Sequence, residues 1–282
     1  MRIVIFLPSS VKPGSMESLM AGQLADSLKQ GTDVEVVNKL SKIRHHHSSI
    51  DVVHVIGCWH LSSARVIKLA YRRGIPIVYT PMQEITTWYR HQHRLACTLK
   101  SILYQRSVTH KASVIHVTGP VEQSDMEKLG WNHQINLIAN PVLTHQINSD
   151  ELAQRLLIIY HTANENTTQT AQRSAEKAVS KVCKQNFNIE KQICQYIFMI
   201  HRRMQRCDIP LAMLKQLSNL LCTQDYDEEL IARILGKLHL TNFTRYLETA
   251  LQKRNLLTEG FMPIAQRNGR LTTKIMQYIT EN

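Results

Sequence analysis

The stretch from Asp51 to Thr80 constrains this chain more than any other. Val52 to Ile56 reads Val-Val-His-Val-Ile and stops at Gly57. A β-branched run without alternation is the pattern of a strand buried on both faces, as in a parallel sheet covered by helices on either side. Leu61 to Arg73 reads as a helix, with Val66, Ile67, Leu69 and Ala70 as apolar contacts, Arg72-Arg73 where cations suit the helix dipole, and Gly74 as its stop. Ile75 to Thr80 is a second buried strand. Strand, helix and strand in succession make a βαβ unit with parallel strands joined right-handed. Ligands of such sheets bind beyond the carboxyl ends of the strands. Those ends carry Gly57-Cys58-Trp59-His60 and Pro81-Met82-Gln83-Glu84, two polar loops opening on one edge.

The neighbouring sequence extends the pattern. Ile3 to Leu7 reads as a first strand, Pro8 to Ser15 as a loop, Met16 to Gln30 as a helix stopped by Gly31, and Val34 to Val37 as a second strand. Tyr89 to Ala112 reads as a long helical region. It interleaves Arg90, Arg94, Lys100, Arg106 and Lys111 with Leu95, Leu99, Ile102 and Leu103, a basic amphipathic surface. Val114 to Val117 is the next strand, with Thr118, Gly119 and Glu122 at its mouth. Val121 to Leu129 follows as a helix stopped by Gly130, and Ile135 to Ile138 is the last strand. His54, inside its strand, reads as a satisfied core histidine. His60 is either a loop histidine or a ligand and proton-transfer contact. His45-His46-His47 reads as an exposed loop, since adjacent residues of an extended chain point to opposite faces; a metal site is the alternative, and no metal is expected.

The run DVVHVIGCWH, then GIPIVYTP, Trp88, LYQRSVTHKASVIHVTGPVEQSDMEKLG and INLIANPV, in this order and spacing, resembles the amino-terminal half of a family 4 glycosyltransferase. The resemblance covers roughly Met1 to Val142. It implies the GT-B architecture of two Rossmann-like domains facing across a cleft, and glycosyl transfer from a nucleotide sugar to a polysaccharide or lipid-linked acceptor. The acceptor-binding candidates it points to are Gly14, Ser15, His60, Gln83, Glu84, Trp88 and Glu122. Gly14 stands where the family usually has two adjacent glycines and is otherwise an ordinary turn glycine. Glu122 matches a family glutamate and reads as a helix-start or loop-bracing residue. The chain departs from the family after Thr80-Pro81. Met82 and Gln83 replace His-Gly, and a thioether neither gives nor takes the proton a histidine would. The hinge reads Ala139-Asn140-Pro141 where Pro-Asn-Gly is usual. The basic helical surface, solvated in the plainer reading, would in such a family rest on anionic membrane.

Lys and Arg number 34 against 22 Asp and Glu, a net charge of +12 over 282 residues. That favours anionic partners, nucleotide-sugar phosphates and acidic headgroups among them, or is simply a basic solvated surface. The six cysteines, Cys58, Cys97, Cys183, Cys194, Cys207 and Cys222, form no CxxC pair and read as reduced, mostly buried thiols. The first residues, Met1 to Leu7, read as a strand rather than a signal peptide, and no apolar run reaches the ~20 residues of a membrane helix. The expectation is a cytoplasmic protein, with peripheral contact at the inner face of the membrane as its alternative setting.

Leu143 to Asn282 reads almost wholly as helix. Ser149-Asp150-Glu151 caps a helix through Ile159, Thr170 to Lys184 forms another, and Pro210 and Asp227-Glu228-Glu229 open two more. Neither the glycine-rich turn nor the paired glutamates of a donor domain occurs in a strand–helix setting. The fold class expected is α/β, a Rossmann-like parallel sheet over residues 1–147, followed by an all-α domain over 148–282. Three functions are open. One is a divergent transferase whose donor site comes from a partner, with no cofactor beyond the nucleotide sugar. The second is a non-catalytic binding or assembly subunit of a polysaccharide-synthesis system, holding a partner protein through the helical domain. The third is a winged-helix nucleic-acid binder using Arg245, Gln252, Lys253 and Arg254, with Leu256 to Leu271 as its wing.

Overall fold

A computed structural model of the protein describes residues 1–29, 31–44, 50–144, 148–183 and 188–281. The triple histidine at 45–47 lies outside the described residues. The chain forms two compact units, Met1–Thr168 and Gln169–Asn282.

The first unit is built on six parallel strands: β1 (Arg2–Phe6), β2 (Asp33–Val37), β3 (Val52–Ile56), β4 (Ile77–Thr80), β5 (Val114–Val117) and β6 (Ile135–Leu137), in the order β2-β1-β3-β4-β5-β6. This is the Rossmann-like sheet the sequence implied. Strand β4 starts at Ile77 rather than Ile75 because Pro76 has no N–H to donate; its carbonyl instead accepts from Val53 N at 2.9 Å. Helices α1 (Met16–Leu28), α2 (Leu40–Arg44) and α3 (Leu61–Arg73) follow the first three strands. The stop at Gly74 is as expected: it is left-handed, φ 69°, and its N–H returns to the last turn.

The region read as one long helix from Tyr89 is four pieces: α4 (Thr87–Gln92), α5 (Arg94–Lys100), a π-helical turn (Ser101–Gln105) and α6 (Arg106–Lys111). It starts earlier because the Thr86 hydroxyl caps it, accepting from Tyr89 N. It breaks at His93, whose φ of −117° is not helical. Helix α7 (Pro120–Leu129), a turn α8 (Pro141–Thr144) and α9 (Ser149–Val182) complete the set. Helix α9 is single where two were expected. Its cap is Asn148, one residue before Ser149, whose Oδ1 accepts from Glu151 N at 2.7 Å.

The strands alternate strictly between two cores. Val4, Phe6, Val53, Val55, Ile77, Tyr79, Ile115 and Val117 pack with residues of α3, α6 and α7. Ile3, Ile5, Val52, Ile56, Val78 and Val114 pack with residues of α1 and with Leu152, Leu156, Ile159, Tyr160 and Ala163 of α9. Covering both faces is what allows the near-continuous apolar strands.

The second unit is helical: α10 (Asn188–Gln205), α11 (Leu211–Thr223), α12 (Glu228–Lys237), α13 (Thr241–Lys253) and α14 (Arg270–Gln277) around one apolar core. Asp227 caps α12 as expected, accepting from Leu230 N at 2.9 Å. The wing does not form: residues 256–269 contain only a 3-10 turn, Glu259–Phe261. The strands among this unit's described residues are Ile209–Pro210 and Ile279–Thr280, paired parallel, whereas a wing is an antiparallel hairpin. Residues 169–281 as described also hold no second parallel sheet of the Rossmann kind.

Candidate functional site at the strand mouths

The order β2-β1-β3 reverses direction between β1 and β3, so the crevice of this sheet opens beyond their carboxyl ends. Four loops meet there. After β1 runs the loop Leu7 to Ser15. Gly14 is exposed, with φ 80°, and Ser15 caps α1, its hydroxyl accepting from Ser18 N at 3.4 Å. After β3 the chain turns at Gly57, φ 92°, where a Cβ would come within 3.4 Å of the His60 ring. His60 Nδ1 lies 3.0 Å from Ser10 Oγ, joining the β1 and β3 loops across the crevice. Burial and the Lys100 ammonium lower the His60 pKa, against a smaller pull from Glu17, which keeps the ring neutral.

After β4 the loop is unusual. Met82 and Gln83 are both left-handed, with φ 58° and 65°, and Trp59 across from them has φ 59°. Consecutive non-glycine residues in this region store backbone strain, which persists only where surrounding structure imposes it. Here the imposing group is Glu122, which is 1% exposed. Its Oε1 accepts from Gln83 N at 2.6 Å, and its Oε2 accepts from Thr118 N at 2.7 Å and Thr118 Oγ1 at 2.9 Å. Glu122 sits in the first turn of α7 and reaches back past the cap, so one carboxylate ties the β4 and β5 loops to the helix start. Burial raises its pKa despite the three bonds. Met82 turns into the core beside Met20, Leu24 and Tyr160 and leaves the mouth to Gln83 and Glu84.

Glu84 is the most strongly placed titratable group of the mouth. Its Oε2 accepts from Cys58 N at 3.0 Å, and its carbonyl accepts from Trp59 Nε1 at 2.9 Å. Burial lifts its pKa to about 7, Glu17 adding to the rise, while the Cys58 amide, the Tyr89 hydroxyl and Lys100 oppose it. A carboxyl poised near neutral pH in a cleft, beside a neutral histidine, is able to give or take a proton from a bound hydroxyl. Trp88 projects into solvent, 72% exposed. Behind the mouth, Tyr104 donates to Trp59 O at 2.6 Å, and Gln105 accepts from Trp59 N and donates to Tyr79. Cys58 is fully buried and burial pushes its thiol pKa well up, so it is no nucleophile.

The structure thus brings Ser15, His60, Gln83, Glu84 and Glu122 to one edge. Sequence reasoning missed Ser10, Glu17 and Lys100. Ser10 lies within, and Glu17 just after, a loop already singled out; Lys100, on α5, gives no local signal. Missed too was a buried chain beneath the mouth. Tyr160 Oη lies 2.9 Å from His54 Nδ1, His54 Nε2 2.8 Å from Thr80 Oγ1, Thr80 Oγ1 2.9 Å from His116 Nδ1, and His116 Nε2 3.3 Å from Ile138 O. Ile138 O only accepts, which fixes every proton: each ring is neutral and protonated at Nε2, and Tyr160 donates. Burial lowers both histidine pKa values, that of His116 to about 4. His54 is a satisfied core histidine, as its position in the strand implied.

The family comparison agrees with this geometry. The model of the glycosyl transferase 4-like domain matches residues 19–141. The match runs from within α1 to the first residue of α8 and takes in His60, Gln83, Glu84, Trp88 and Glu122, while the loop after β1, with Ser10, Gly14 and Ser15, and Glu17 precede it. No curated protein and no solved structure matches the chain. Among the described residues no cluster of three or more His, Cys, Asp or Glu side chains is arranged to hold a metal ion, and no helix is long and apolar enough to cross a membrane.

Proposed function

We propose that the chain is the acceptor side of a glycosyl transfer system: a divergent glycosyltransferase-like protein that binds a polysaccharide or lipid-linked acceptor at the strand mouths. The nucleotide-sugar donor is held by a partner, and no cofactor takes part. The observation that carries this reading is the convergence of His60, Gln83 and Glu84 at the switch point of a glycosyl transferase 4-like domain, braced by Glu122. Gln83 and Glu84 hydrogen-bond sugar hydroxyls, Trp88 offers a sugar face a surface to stack on, and Glu84, with its pKa near 7, takes the acceptor's hydroxyl proton. Gly14 and Ser15 shape the opposite rim. The helical unit holds the partner protein, and the basic surface of α4 to α6 contacts anionic membrane at its inner face. Salt-dependent nucleic-acid binding is not part of this reading.

The second reading, a non-catalytic binding or assembly subunit, draws on Met82, whose side chain is in the core where the resembled family presents a histidine. Calorimetric titration of the full chain with nucleotide sugars and free nucleotides tests the division of labour. The expected result is no saturable binding by the folded chain alone. Saturable binding would place a donor site on this polypeptide and remove the need for a partner.

A further inference from the structure

Among the described residues of the helical unit, Phe261 is the one large apolar side chain that stands exposed. A partner held by this unit therefore finds no broad apolar patch, and charge has to recruit it. Charge and apolar surface meet at a cavity of about 330 Å³ between the end of α9 and one face of α12, lined chiefly by Lys181, Cys183, Leu230, Arg233, Ile234 and Lys237. Helical spacing builds it. Leu230, Arg233, Ile234 and Lys237 stand at i, i+3, i+4 and i+7, so they share one face of α12. Cys183, Leu230 and Ile234 are buried and form the floor, whereas Lys181, Arg233 and Lys237 are exposed and form the rim.

Among the described residues none of the three rim side chains has a hydrogen-bond or ion-pair partner. Lys181 and Lys237 lie in the last turns of α9 and α12, where a cation suits the helix dipole. Arg233 has no such position. Glu229 stands four residues before it, the spacing of a surface ion pair, yet the two do not pair and the guanidinium lines the cavity. The lining contains no carboxylate, so the rim is cationic throughout. The layout also says which anion fits. A phosphate or nucleotide site sets its donors at the bottom, from a glycine-rich turn or a helix start, with an aromatic face for a base. Here the bottom is apolar, the lining holds neither glycine nor aromatic ring, and the charges stand at the edge. An apolar side chain entering between carboxylates of the same segment matches that order.

We propose that the groove between α9 and α12 is the docking site for an acidic segment of a partner protein. A leucine-like side chain of that segment enters the cavity, and flanking Asp or Glu residues pair with Lys181, Arg233 and Lys237. This rests on the reading that the helical unit holds a partner, and gives that partner its chemistry.

The test is selection of a random peptide display library on the full chain, followed by fluorescence anisotropy of the enriched peptides. The expected result is peptides that combine Asp or Glu with a large apolar residue. Arg233→Gln with Lys237→Gln, both on exposed helix surface, should weaken them about tenfold. Serine in place of the peptide's apolar residue should weaken them about fivefold. Lys215→Gln with Arg254→Gln removes the same charge from exposed positions outside the cavity lining and should stay within about twofold. Equal loss in both double variants would reduce the binding to general attraction by a basic protein and overturn the groove. Displacement of the peptides by micromolar inorganic phosphate would make the site one for a small anion and overturn the peptide. Peptides that bind the Arg233→Gln, Lys237→Gln variant as tightly as wild type would overturn this site while sparing a partner docked elsewhere on the unit. A folded chain that enriches no peptide would overturn the proposal. Whether a partner is needed at all is read separately, by the nucleotide-sugar titration, so the two failures are distinguishable.

Discussion

Glu122→Gln is the sharpest probe of how the strand mouth is held. The carboxylate faces backbone N–H groups on both oxygens, those of Gln83 at 2.6 Å and Thr118 at 2.7 Å. A glutamine has one oxygen. Its amide nitrogen must meet one of the two N–H donors head-on, leaving a buried donor unsatisfied at a cost of ~1–3 kcal/mol and losing a charge-assisted bond of ~1.5–3 kcal/mol. Burying a neutral amide is easier than burying the charge, as the raised pKa of Glu122 indicates, and this offsets part of the loss. The net expectation is a destabilisation of about 2–3 kcal/mol. Urea unfolding followed by tryptophan emission reads it, because Trp59, Trp88 and Trp131 all lie in the first unit. A Glu122→Gln variant within about 0.5 kcal/mol of wild type would refute the reasoning.

Other outcomes follow from the same geometry. Thr80→Val keeps the shape but strips one partner from each of the His54 and His116 rings, and should cost ~2–4 kcal/mol in the same unfolding assay; Tyr160→Phe, which orphans one ring nitrogen, should cost ~1–2 kcal/mol. Glu84 has a folded pKa of about 7 above an ordinary 4.5, so its contribution is full below pH 4.5 and is lost as pH rises through 7. The neutral Glu84→Gln variant escapes that loss, and its stability relative to wild type should be greater at pH 8 than at pH 5. A difference that stays flat or reverses between these pH values contradicts the assignment.

Much of the first unit is readable in the sequence because its strands are uniformly apolar and its helices carry their own stops. Val52–Ile56 and Leu61–Arg73 fall at the expected residues, and Gly74 and Gly130 end their helices in the left-handed conformation. The mouth is legible as a place, since strand ends are where a parallel sheet exposes polar loops. Its wiring is not. The Glu122 clamp joins residues 39 apart and the His54–Tyr160 contact residues 106 apart, and neither leaves a local pattern. Met82 shows the limit: its place in the sequence is the mouth, but a left-handed backbone turns its side chain into the core. In the second half the helices are visible through caps such as Asp227, whereas Leu256–Leu271, which carries no strand pattern, forms no wing hairpin.

As proposed here, the strand mouth is a sugar-acceptor site. Saturation-transfer NMR of the full chain against a panel of neutral and lipid-linked oligosaccharides tests it most directly, with Glu84→Ala and His60→Ala as controls. The wild type should saturate specific sugar protons and both variants should lose that signal, with tryptophan emission showing that each remains folded. Glycan binding that survives both substitutions, or none by the wild type across the panel, would contradict it.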